Sequence, residues 1–99
     1  MTIEVNKNGS ELTLCPVGRV DTSTAPELRK AFDENISGVT DLTFDLKKLD
    51  YISSAGLRVL MVAQKTMAKQ GKMKLVNVNE NVMDVFDMTG LTDVFDIEQ

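Results

Sequence analysis

Between Thr40 and Gln70 the hydrophobic period changes once, and that change restricts the folds open to this chain. Leu42, Phe44 and Leu46 alternate with Thr43 and Asp45, the period-2 pattern of a half-buried strand. After a short junction, Leu57, Leu60 and Met61 begin a run with helical spacing, which Gly71 is placed to end in the left-handed conformation. A strand leading into a long helix calls for a parallel neighbour, because the helix carries the chain back to the end of the sheet from which the strand began. Lys74 to Val78 reads as that neighbour.

The flanking sequence extends the same logic. Ile3 and Val5 alternate with Glu4 and Asn6, and Asn8-Gly9 supplies residues tolerant of positive φ for a hairpin turn. In the returning strand Leu12, Leu14 and Pro16 point one way and Thr13, Cys15 and Val17 the other, with Pro16 predicting weakened pairing or an edge position. Asp21-Thr22-Ser23-Thr24 offers N-caps for a helix with Pro26 in its first turn, and Thr24 and Glu27 have the spacing of a capping box. Leu28, Ala31, Phe32 and Ile36 form the apolar stripe of that helix, Glu27, Arg29, Lys30, Asp33 and Glu34 its wet face, and Gly38 its stop. The second helix, from about Ala55 to Gln70, turns Leu57, Leu60, Met61, Met67 and Ala68 inward and Arg58, Gln64, Lys65 and Lys69 outward. Asn79 caps a third helix carrying Val82, Val85 and Phe86, Gly90 ends it, and Thr92 to Ile97 reads as a last strand. The expected fold class is α/β: a mixed sheet of four to five strands, covered by about three main helices, in one domain over residues 1–99. Ninety-nine residues with 42% hydrophobic content suit a single core.

Most chemistries lack their residues. With no His, a Ser-His-Asp triad, an imidazole proton shuttle and His metal ligation are excluded. Gly56 is the only glycine near Ser53 and Ser54, so no nucleophile elbow is present, and neither a phosphate-cradling Gly-rich loop with Lys nor a dinucleotide fingerprint occurs. One cysteine cannot build a zinc site or an internal disulfide, and the acidic residues are scattered singly apart from Asp33-Glu34. Asp45 invites comparison with a receiver-domain phosphoacceptor, but the further acids of that fold are missing after the first strand. Intrinsic enzyme activity, a cofactor and a metal are therefore not expected. A net charge of −4, with only Lys65, Lys69, Lys72 and Lys74 grouped, opposes binding to nucleic acid. No run of apolar residues could span a bilayer and no signal peptide is recognisable, so with the lone Cys15 a cytoplasmic location is the expectation.

One junction stands out once these are set aside. Ser53 and Ser54 lie where extended chain hands over to the second helix, and a serine there can cap the helix while its hydroxyl stays at the surface. A phosphate at that point meets free N–H groups and the positive end of the helix dipole. Tyr51-Ile-Ser-Ser-Ala-Gly-Leu-Arg-Val-Leu60 resembles the phosphorylation motif of STAS-domain anti-sigma factor antagonists. Gly18-Arg-Val-Asp-Thr-Ser-Thr-Ala25 is similar to that family's loop into its first helix, and Phe86-Asp-Met-Thr-Gly-Leu91 to the end of its third. The three stretches stand in the family's order and span nearly the whole chain.

The resemblance implies a binding module set by other proteins. Its partners would be an anti-sigma factor that is also an ATP-dependent serine kinase, and a metal-dependent serine phosphatase that resets the cycle. The motif places the acceptor at Ser54, with Ser53, which stands where many relatives carry Asp, as the alternative. Asp21, Thr22 and Ser23 match the loop beside the acceptor, and with Ser53, Ser54, Ala55, Gly56, Leu57 and Arg58 they form the expected partner surface. Turn and cap chemistry is the competing role for Asp21 and Thr22. A STAS scaffold or ligand sensor without phosphate cycling, and a hydrolase using Ser54 as nucleophile, are the rival functions.

Overall fold

The computed structural model describes residues 1–98. In chain order its elements are β1 (Thr2–Asn8), β2 (Glu11–Val20), α1 (Ala25–Asn35), β3 (Asp41–Asp45), β4 (Leu49–Ile52), α2 (Ser54–Gln70), β5 (Lys72–Val76), α3 (Glu80–Thr89) and β6 (Ile97–Glu98). The expected mixed α/β architecture with three helices is present, on a sheet of six strands ordered β1-β2-β3-β5-β6, with β4 also paired to β2. Only the β1–β2 pair is antiparallel.

Ten-residue β2 organises the sheet. Its first part, Glu11 to Leu14, pairs with β3, and its last part, Gly18 to Val20, pairs with β4. β3 and β4 thus follow one another along the same strand, separated by a tight turn in which the Leu49 N–H donates to the Leu46 carbonyl at 3.1 Å. Pro16 falls between the two paired stretches, so of its two predicted meanings weakened pairing holds, in the interior of the sheet. The four-residue β4 is the sixth strand that the sequence pattern missed. Its ends, Leu49 and Ile52, are buried while Asp50 and Tyr51 are exposed, because Asp50 is an extra residue opposite the Gly18–Arg19 step. A bulge of this kind erases the period-2 signal.

Leu12, Leu14, Leu42, Phe44, Met73 and Leu75 present one face of the sheet to the helices, and all are buried. α1 packs on β2 and on α2, α2 lies over β5 and β4, and α3 sits against β4. Leu28 and Phe32 of α1, Leu57, Val59, Leu60, Ala63 and Met67 of α2, and Val82 and Phe86 of α3 complete the core. Met61 and Ala68 are exposed and Gln64 is half-buried; Val59 and Ala63 take the inward places. The alternate sheet face carries ion pairs, among them Lys48 of the β3–β4 turn with Glu4 of β1 and the cross-strand pair Lys74–Glu98.

Several local expectations shift by a residue or change cause. The hairpin turn is Gly9-Ser10, since Asn8 pairs with Glu11, and Gly9 at φ +63° fits the first position of a type II′ turn. Thr24 forms no capping box: its hydroxyl donates to the Arg19 carbonyl and accepts from the Asp21 N–H, while Glu27 holds the N-terminal ammonium. Gly71 is extended, with φ 172°, and its lack of a side chain answers to the Thr40 carbonyl that a Cβ would strike. β5 starts at Lys72, two residues early, and of the expected Thr92–Ile97 strand only Ile97 pairs, together with Glu98 beyond it. Asn79 and Gly90 do cap α3, with Gly90 left-handed at φ 71°.

Candidate functional site

The site is assembled where β2 and β4 end side by side. Val20 pairs with Ile52, and the Ser53 N–H donates to the Val20 carbonyl at 2.8 Å. From these adjacent strand ends the chain leaves in two directions, through Asp21–Thr24 into α1 and through Ser53 into α2. Parallel pairing of β2 with β4 is what brings the two stretches together across some thirty positions of sequence.

The two serines take different work. Ser53 is the N-cap, extended at φ −94° and ψ 176°, and its Oγ accepts from the Gly56 N–H at 3.4 Å while its carbonyl accepts from the Leu57 N–H at 2.9 Å. Ser54 is the first helical residue and is exposed. N–H groups of this first turn have no intrahelical acceptor. Unlike α1 with Glu27 and α3 with Glu80, α2 has no acidic residue in its first turn.

Gly56 is buried because α2 begins directly over the strand ends. A Cβ there would lie 2.6 Å from Ile52 Cγ1 and 2.7 Å from Val20 Cγ1, so close packing explains the glycine. Leu57, 3% exposed, anchors the same turn in the core. Both were expected in the partner surface; they shape the junction from beneath instead. Thr22, Ser23, Ser54 and Arg58 are exposed, and Asp21, Ser53 and Ala55 are half-buried.

Asp21 organises its loop. One carboxylate oxygen accepts from the Ser23 hydroxyl at 2.8 Å, the Ser23 N–H at 3.0 Å and the Thr24 N–H at 3.1 Å. The Ser23 hydroxyl foremost, then the Thr24 N–H, hold this carboxyl below the usual aspartate range. Turn chemistry at Asp21 is therefore present, and it leaves a firmly ionised group at the end of β2. The flanking pair Arg19 and Tyr51, opposite one another in β2 and β4, stack with the guanidinium carbon 4.7 Å from the ring centroid. Sequence reading missed this pair, because only the bulged β2–β4 register makes the two residues neighbours.

Elsewhere, burial pushes the Cys15 thiol up, so it is not an activated nucleophile. Among the described residues no group of three or more His, Cys, Asp and Glu could hold a metal, and no helix is long and apolar enough to cross a membrane.

The geometry defines a small α/β module whose distinctive surface is a serine-bearing strand-to-helix junction beside an ionised loop. The chain belongs to the STAS domain family, whose model matches residues 2–99. It is 34% identical over 98 residues to the anti-sigma-B factor antagonist of Bacillus subtilis (strain 168), with 98% of this chain and 90% of that protein covered. An anti-sigma factor antagonist from Mycobacterium paratuberculosis superposes with a TM-score of 0.87 at 23% identity, over 97% of this chain and 83% of that one. Structures of the antagonist SpoIIAA superpose in both of its states: unphosphorylated, TM-score 0.83 at 18% identity over 99% and 89% of the chains, and phosphorylated, from Bacillus, 0.75 at 17% over 99% and 92%. At these identities the superpositions speak to the fold.

Proposed function

We infer that this chain is an anti-sigma factor antagonist that docks on an anti-sigma factor serine kinase and is released when Ser54 is phosphorylated. A metal-dependent serine phosphatase would restore the docking form. The observation that carries this reading is the separation of roles at the junction: Ser53 is occupied as cap, and Ser54 is exposed with its hydroxyl uncommitted. The named function of the Bacillus subtilis relative supports it. In the transfer, Ser54 Oγ attacks the γ-phosphorus of kinase-bound ATP, the new O–P bond replaces the bond to ADP, and the hydroxyl proton passes to a kinase base.

Phosphate adds about −1.5 to −2 charge at pH 7. At the first position of α2 that charge faces N–H groups, so the fold tolerates it. The effect falls on the interface, where the phosphate joins the Asp21 carboxylate at neighbouring strand ends and an acidic or apolar partner surface must desolvate or repel both. A loss of about 4 kcal/mol corresponds to a roughly thousandfold weaker complex.

Ser54→Asp is expected to weaken kinase binding strongly in calorimetry while the thermal midpoint stays nearly constant, and Ser54→Ala is expected to bind constitutively. Equal affinity of wild type and Ser54→Asp would sink the mechanism. Incubation with ATP and the kinase, followed by intact mass and peptide mapping, checks the acceptor; absence of phosphate on both serines would favour a scaffold or ligand-sensing STAS module, and an acyl adduct with a serine-directed probe a hydrolase.

A further inference from the structure

We propose that Arg58 is the internal partner of the charge at Ser54: exposed and, among the described residues, unpaired in the unmodified chain, it closes on the phosphate across one turn of α2 after phosphorylation. This rests on Ser54 being the acceptor. Ser54 and Arg58 are the first and fifth residues of α2, both exposed, and residues so spaced have Cβ atoms about 5–6 Å apart on one helix face.

The three arginines differ in what already holds them. Arg29 pairs with Asp33 at 3.0 Å and Arg19 lies over Tyr51. Arg58 has no ionic, hydrogen-bonding or ring partner among the described residues. α2 contains no Asp or Glu. The positions three and four residues from Arg58 are Ser54, Ala55, Met61 and Val62, so only Ser54 can become an anion there. An anion four residues N-terminal to a cation is the favourable order, since it also suits the helix dipole. A guanidinium fork matches two phosphate oxygens at once. One covalent event then changes the docking face twice, adding negative charge at Ser54 and withdrawing the cation that an acidic group of the kinase could otherwise meet.

The test uses the full chain with phosphoserine placed at position 54 by genetic encoding, so no kinase is needed. Failure of a kinase to modify Ser54 would count against the acceptor assignment, while the pairing itself is read separately. The second ionisation of the phosphate is followed by phosphorus NMR in the phosphorylated wild type, Arg58→Gln and Arg58→Lys. Loss of the guanidinium is expected to raise that pKa by about 0.2–0.4 pH unit at low salt. Lys is expected to recover part of the shift, and 1 M NaCl, where the screening length is about 3 Å, to abolish the difference. Indistinguishable titrations of wild type and Arg58→Gln at low salt, with both folded by circular dichroism, would overturn the proposal. If Arg58→Gln fails to fold, Arg58→Ala takes its place and is read in the same way, a titration indistinguishable from wild type at low salt overturning the proposal.

Discussion

Gly56 shows how one missing side chain fixes the geometry of a junction. Replacing a helical glycine with alanine ordinarily gains about 1 kcal/mol of helix propensity. Here the new methyl would meet Ile52 Cγ1 and Val20 Cγ1 well inside van der Waals contact, and both are buried branched side chains with little freedom to turn. Overpacking of this kind costs about 1–3 kcal/mol, so it exceeds the propensity gain. Gly56→Ala is expected to lower the urea midpoint by the equivalent of about 1 kcal/mol, with an unchanged m-value. Gly71→Ala is expected to cost more, about 2–3 kcal/mol, because its Cβ strikes the backbone carbonyl of Thr40, which cannot swing aside. The residue pattern Ser-Ser-Ala-Gly-Leu thus combines a cap, an exposed hydroxyl, a close approach and an anchor in five positions.

At the scale of elements, strand ends are tied by carboxylates. Asp45 closes β3: burial would raise its carboxyl, but the Asn77 amide at 3.0 Å, the Lys47 N–H at 3.2 Å and the Lys47 ammonium outweigh that and hold it below its usual value. Asp21 closes β2 with the same sign, through Ser23 and Thr24. A carboxyl lowered by folding gives stability that is complete above its unfolded pKa, near 4, and disappears as pH falls through the lower folded value. Thermal midpoints are therefore expected to be level from about pH 7 to 5 and to fall below about pH 4. Asp45→Asn should flatten part of that fall; an acid profile identical to wild type would show that the Asn77 and Lys47 contacts contribute nothing. Asn77 itself stands at φ +56°, a left-handed position that the amide's bond to Asp45 helps to hold.

Across the whole molecule, charge and packing are both uneven. Residues 54–74 contain five basic residues and no acid, whereas residues 75–99 contain six acids and no base. Of those five bases only Arg58 shares the first turns of α2 with Ser54; Lys65 and Lys69 stand in the second half of that helix, and Lys72 and Lys74 pair with Asp41 and Glu98. The acidic end is fastened by Phe86, fully buried in α3, whose ring packs tilted by 41° against Phe95 at 5.7 Å between centroids just before β6. Phe86→Ala is expected to cost about 3–5 kcal/mol in chemical denaturation and to expose the last strand to faster amide exchange. Unchanged exchange at Ile97 and Glu98 would show that Phe95 holds that end without Phe86.

Sequence alone determined the local features. Hydrophobic period marked three helices and the strands on either side of α1, Asn79 and Gly90 marked the limits of α3, and the paired serines marked a junction worth testing, because each of these signals is carried by residues within a turn or two of one another. Tertiary structure decided the rest. Which strands become neighbours, that Leu49–Ile52 is a bulged strand, that Asp21 lies at the strand end beside Ser53, and that Thr24 abandons its capping box are settled by contacts between distant stretches. Side-chain periodicity states which face of an element is buried but not what it is buried against, and a bulge removes even the period.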